Sequence, residues 1–159
     1  MDGLNVGIAS IMHSGTHLMV DMLQRCMKGC SIQDAQNGKP GFFLMHLVDA
    51  HQNDMRLGLP LITPMRHPVR VLESFRRRGK TLAEMESQYR NLARISPIFI
   101  HVDRKDRDAY VERAGKLLNL PLKTDWPLLS PKNTLGWKVT PERIKEIPEF
   151  IMDIYDNSL

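Results

Sequence analysis

Short, nearly continuous apolar runs recur along this chain, and most are followed by residues that fall into a helical pattern. The runs at 5–11 (NVGIASI), 42–48 (FFLMHLV), 59–65 (LPLITPM) and 97–102 (PIFIHV) have the length of strands. Runs without polar alternation suit strands buried on both faces, as in a parallel sheet covered by helices. Between them, 17–27 carries Leu18, Met19, Met22, Leu23 and Cys26 at helical spacing. Pro68 suits the first turn of a helix reaching about residue 78, and a second amphipathic helix is expected over 82–95. The stretch 106–118 reads as a helix with Tyr110, Ala114, Leu117 and Leu118 on one side. Residues 31–41 and 120–134 read as loops. Pro141 opens a last helix to about residue 155, which Pro148 kinks or divides. The expectation is one α/β domain over 1–159, with its core at about 4–120 and a C-terminal loop and helix over 121–159.

Composition narrows the function. A chain that is 42% hydrophobic and 25% charged reads as soluble and globular, and no apolar run is long enough to span a membrane. The first residues lack the layout of a secretory signal, so a cytoplasmic location is expected. The net charge of +4 is uneven: Arg66, Arg70, Arg76, Arg77, Arg78 and Lys80 fall close together. Such a cluster is either a solvated helix face or the mark of an anionic partner. Aromatics are sparse, at 6%, which disfavours a nucleic acid and leaves a phosphorylated small molecule. Cys26 and Cys30 have no second Cys or His pair at zinc spacing, so they read as reduced thiols and no metal is expected.

Two segments carry anion chemistry. In Ile11-Met12-His13-Ser14-Gly15-Thr16-His17 a strand ends, the chain turns at a glycine and a helix begins. Free N–H groups at such a helix start point outward and attract phosphate or sulfate. The Gly-Lys-Ser/Thr ending of a Walker A loop is missing, which argues against an ATP or GTP hydrolase. In Thr63-Pro64-Met65-Arg66-His67-Pro68, Arg66 stands at a strand end, and Ser74 follows eight positions later in the next helix. A guanidinium and a hydroxyl so spaced suit one phosphate between them; pairing of the arginine with a carboxylate is the other reading.

Together these segments resemble the PAPS-dependent sulfotransferase family. Its phosphosulfate loop centres on Ser-Gly-Thr, matched by Ser14-Gly15-Thr16. Its 3′-phosphate element reads Arg-Asn/Asp/His-Pro with a serine eight positions after the arginine, matched by Arg66-His67-Pro68 and Ser74. The two elements also come in the family's order. A Lys-Thr-His-Leu strand supplies the catalytic base in many members, and Leu44-Met45-His46-Leu47 is similar to it, with His51 a rival to His46. Gly136-Trp137-Lys138 is similar to a Gly-Asp-Trp-Lys stretch near the family's C-terminal nucleotide loop, although Trp137 also suits a core anchor. His13 stands where the family has Lys or Arg, and Leu44 replaces the usual lysine.

The resemblance implies a three-layer P-loop-type domain with a parallel sheet of about four to five strands flanked by helices. It implies a transferase that moves a sulfuryl group from PAPS to a hydroxyl or amine of a small-molecule or glycan acceptor and releases PAP. It implies donor contacts from Ser14, Gly15, Thr16, His17, Arg66, Ser74, Lys132 and Lys138, with His46 as base and His13 beside the transferred group. The alternatives are a non-catalytic PAP-binding module on the same fold and a P-loop phosphotransferase.

Overall fold

A computed structural model describes residues 5–11, 16–26, 41–46, 60–95, 97–104, 106–122 and 138–158. These residues include four strands: β1 (Asn5–Ser10), β2 (Gly41–His46), β3 (Leu61–Met65) and β4 (Ile98–His101). The helices are α1 (Thr16–Cys26), α2 (Pro68–Arg77), α3 (Leu82–Leu92), α4 (Arg107–Leu118), α5 (Pro141–Ile144) and α6 (Glu149–Asn157). Boundaries lie within a few residues of the sequence expectation. Pro148, which has no N–H to continue a helix, divides the last one into α5 and α6.

The strands run in the order β2-β1-β3-β4, and every neighbouring pair is parallel. Alternate side chains of β1 feed two separate cores. Val6 and Ile8 pack with Met19, Met22 and Leu23 of α1 and Val111, Ala114 and Leu118 of α4. Ala9 and the adjoining Ile11 pack with Val69, Leu72 and Phe75 of α2, Met85 and Tyr89 of α3, and Ile151 and Tyr155 of α6. Helices therefore cover both faces, as expected of a sheet with nearly continuous apolar strands. Each Val, Leu, Ile, Met or Phe among them contributes roughly 1.5–3 kcal/mol by leaving water. The C-terminal helix is part of this core.

One expectation within α4 fails. Leu117 is 65% exposed, whereas Val111 is fully buried. At about 100° per residue, the buried face centres on Val111, Ala114 and Leu118, and Leu117 falls at its margin beside Tyr110.

The chain leaves β1 toward β2 and leaves β3 toward β4, in opposite directions across the sheet. Right-handed crossovers then put α1 on one face and α2 with α3 on the other, as observed. The carboxyl ends of β1 and β3 thus flank a topological switch point, the place where open α/β sheets form a ligand crevice.

Candidate anion site at the switch point

The turn after β3 is built locally. Pro68 opens α2 with its fixed φ, and His67 before it is held extended, at φ −53° and ψ 129°. The His67 ring caps the helix: its Nδ1 accepts from the Val69 N–H at 3.2 Å. The capped nitrogen carries no proton, and burial lowers the pKa of the ring, opposed by nearby Asp103. The His67 carbonyl accepts from the N–H groups of Arg70 and Val71 at 2.9 and 3.2 Å. Its own N–H donates to Asp103 Oδ2 at 3.1 Å, and Arg70 Nη1 donates to the same oxygen at 2.8 Å.

Arg66 sits at the head of this turn and is only 6% exposed. Burial lowers its pKa, Asp103 opposes that, and Arg70 adds to it by repulsion. The carboxylate thus helps keep a buried guanidinium charged. Ser74 lies on the buried side of α2 and is 5% exposed.

The register aligns the strand ends. Ser10 is level with His46 on one side, and β1 pairs with β3 through Gly7↔Leu61 and Ile8↔Ile62 on the other. Carried forward, the second pairing sets Ile11 level with Met65, one residue before Arg66. His46, the exit of β1 and Arg66 therefore share one edge of the sheet. Thr16 and His17 are the first two residues of α1. His13, Ser14, Gly15 and Lys132 lie outside the described residues, as do His51 and Trp137. Lys138 is exposed just ahead of α5, which is tied to the second half of α2 by Arg143–Glu73 at 3.7 Å and, just past its end, by Arg76–Glu146 at 3.3 Å.

The two helices that start at the switch point share a trait. Neither α1 nor α2 has an acidic residue in its first turn. In contrast, α3, α4, α5 and α6 carry Glu84, Asp108, Glu142 and Glu149 there. An acidic side chain near a helix start offsets the positive end of the dipole. At α2 the carboxylate that reaches the helix start is Asp103, which comes from beyond β4.

Three contributors at the neighbouring strand end were not picked out from the sequence: Asp103, Arg104 and His101. His101 closes β4 level with Met65 and is fully buried. Its ring lies 4.6 Å from that of Tyr110 and 5.1 Å from that of Tyr155, centroid to centroid. Its Nε2 is 2.9 Å from Ser158 Oγ, whose own proton goes to the Tyr155 carbonyl at 2.6 Å. The imidazole is therefore the donor, with its proton on Nε2, and its buried Nδ1 has no hydrogen-bond partner. Burial, with Arg104 adding repulsion, lowers its pKa to about 4. The available signal was positional: 97–102 is the next strand after 59–65, and where two such strands pair in parallel the residues after them meet at one sheet edge.

No family model, curated protein or solved structure matches the chain. Among the described residues, no helix is long and apolar enough to cross a membrane. No group of three or more His, Cys, Asp or Glu among them has metal-site geometry.

Proposed function

We propose that the protein is a PAPS-dependent sulfotransferase with a P-loop-type sheet, acting on a hydroxyl or amine acceptor and releasing PAP. The observation that carries this reading is the direct parallel pairing of β1 with β3, which end together at a switch point. That pairing suits a ligand with two anionic ends, one at the start of α1 and one at Arg66. The chain's residues fit such a nucleotide: Arg66 is buried beside Asp103, and neither adjoining helix has an acidic residue of its own in its first turn.

PAPS supplies the activated sulfuryl group. Arg66 and Ser74 grip the 3′-phosphate and fix the donor's position without joining the chemistry. Ser14, Gly15, Thr16 and His17 hold the 5′-phosphosulfate, and their backbone N–H groups steady the charge that develops on the leaving oxygen. His13 hydrogen-bonds at the same end, and Lys132 and Lys138 approach the nucleotide from the C-terminal segment. His46 takes the proton of the acceptor as the acceptor atom bonds to sulfur and the bond to the bridging oxygen breaks.

Calorimetry with PAP tests the site. Wild type should bind, and Arg66→Ala should lose about thirtyfold, equivalent to roughly 2 kcal/mol for a charge-assisted phosphate contact. Equal affinities would remove Arg66 from the site and the reading with it. His46→Ala should keep PAP affinity and lose transfer to hydroxyl acceptors; undiminished turnover would exclude His46 as the base. Wild type that binds PAP but sulfates no acceptor in a broad panel would be the non-catalytic module instead.

A further inference from the structure

We propose that Asp103 is a positioning residue for the 3′-phosphate site, aiming Arg66 by holding the peptide that follows it. The inference rests on the function proposed above. The N–H that Asp103 Oδ2 receives from His67, at 3.1 Å, belongs to the peptide unit joining Arg66 to His67. Fixing its direction fixes the backbone on which the Arg66 side chain is mounted. The same oxygen holds Arg70 Nη1 at 2.8 Å, so the second cation of the turn has a set place beside the first.

The carboxylate reaches this place through the sheet. Met65 is level with His101, and the Val102 N–H donates to the Met65 carbonyl at 2.9 Å. One residue further, Asp103 meets the chain one peptide beyond Arg66. The turn is then held at three points: the His67 ring on Val69, the His67 carbonyl under α2, and the His67 N–H on Asp103. The first two are made within the turn itself. Of these three, the last comes from outside the turn, from just beyond β4, and it is the one nearest Arg66.

Electrostatics supports the same role. Arg66 and Arg70 repel each other across this turn, and Asp103 acts against that repulsion at Arg66. With Asp103 only 14% exposed at its side chain, solvent screens this effect little. A displaced carboxylate would leave two like charges to move apart, and a phosphate would meet a guanidinium that must first be oriented. Orienting such a group on binding weakens affinity, whereas a group already in place does not.

The test compares PAP with AMP, which lacks the 3′-phosphate, by calorimetry on wild type, Asp103→Ala and Asp103→Glu. Wild type should prefer PAP. Asp103→Ala should lose about tenfold in PAP affinity, the scale of one charge-assisted hydrogen bond, and keep its AMP affinity. Asp103→Glu keeps the charge but moves the oxygen by one methylene, and it should also lose PAP affinity selectively. If Asp103→Ala does not fold, Asp103→Glu decides by the same criterion. PAP affinity that is unchanged or tighter in either folded variant overturns the inference. Loss of PAP and AMP in equal proportion also overturns it, because that would be general loosening. A wild type with no preference for PAP defeats the 3′-phosphate assignment itself, whatever the variants do.

Discussion

The carboxyl ends of β3 and β4 are neighbours in register, yet they treat a basic side chain in opposite ways. After β3, Arg66 is almost buried and Asp103 helps hold its charge. At the end of β4, His101 is fully buried, packed against Tyr110 and Tyr155, and kept neutral at ordinary pH by a pKa near 4, lowered to about that value by burial. Burial disfavours charge in both places. The outcome differs because an arginine starts from an ordinary pKa of 12.5 and a histidine from 6.5; Asp103 opposes the loss of charge at both, but hydrogen-bonds into the β3 turn. The sheet edge is thereby divided. Its β1–β3 side is where the proposed nucleotide would sit, and its β4 side is closed by the C-terminal helix.

Tyr155 is the side chain that closes it. Its ring lies 5.0 Å from His67 and 5.1 Å from His101, so it touches both strand ends. Tyr155→Ala should therefore show the largest effect, a loss of roughly 3–5 kcal/mol in urea denaturation, as for other large-to-small core changes. A loss under about 1 kcal/mol would mean the β4 end is not sealed from the C-terminal side, given the usual cost of such cavities.

The neutral state of His101 predicts the next effect. Above its ordinary pKa of 6.5 the ring is uncharged whether the chain is folded or not, and stability does not depend on it. As pH falls from about 6.5 toward about 4, the unfolded chain takes up a proton that the folded one refuses, so stability drops. The total is up to about 3 kcal/mol, and it levels off below the folded pKa. His67 is shifted in the same direction and adds to the slope. Urea midpoints between pH 7 and pH 4 measure this, and His101→Gln should flatten most of it. An unchanged slope in that variant would show that the pH dependence arises elsewhere.

The difference between the two strand ends also marks what could be seen in the sequence. The alternation of strands and helices was legible because each element carries its own period. Arg66-His67-Pro68 was legible because strand end, helix cap and helix start are contiguous there. The empty first turns of α1 and α2 were visible too, but they gain meaning only when both helices are seen to start at one switch point. Asp103 acts on His67 across 36 residues and Ser158 on His101 across 57. Such partners are set by which strands lie side by side and in what register, and by where the last helix docks. Local pattern carries neither. Leu117 shows the same limit on a smaller scale: its apolar character was plain, but the direction of the face it borders was decided by the sheet beneath α4.

Ser158 offers the finest test of the division. Its hydroxyl accepts from His101 Nε2 at 2.9 Å and donates to the Tyr155 carbonyl at 2.6 Å, so it joins the strand end to the end of α6. Ser158→Ala would leave the buried Nε2–H without an acceptor, in addition to an Nδ1 that already lacks a partner. An unsatisfied buried donor costs about 1–3 kcal/mol, the smallest of the three effects. The histidine's proton would then have little reason to stay on Nε2, so the two ring nitrogens should exchange tautomers, visible in their nitrogen-15 shifts. If the β4 end is a closed structural region, this variant should lose stability while its PAP affinity stays within about twofold of wild type, a difference below roughly 0.5 kcal/mol. A larger change in PAP affinity would mean that the two strand ends share one site, and that the C-terminal helix belongs to it.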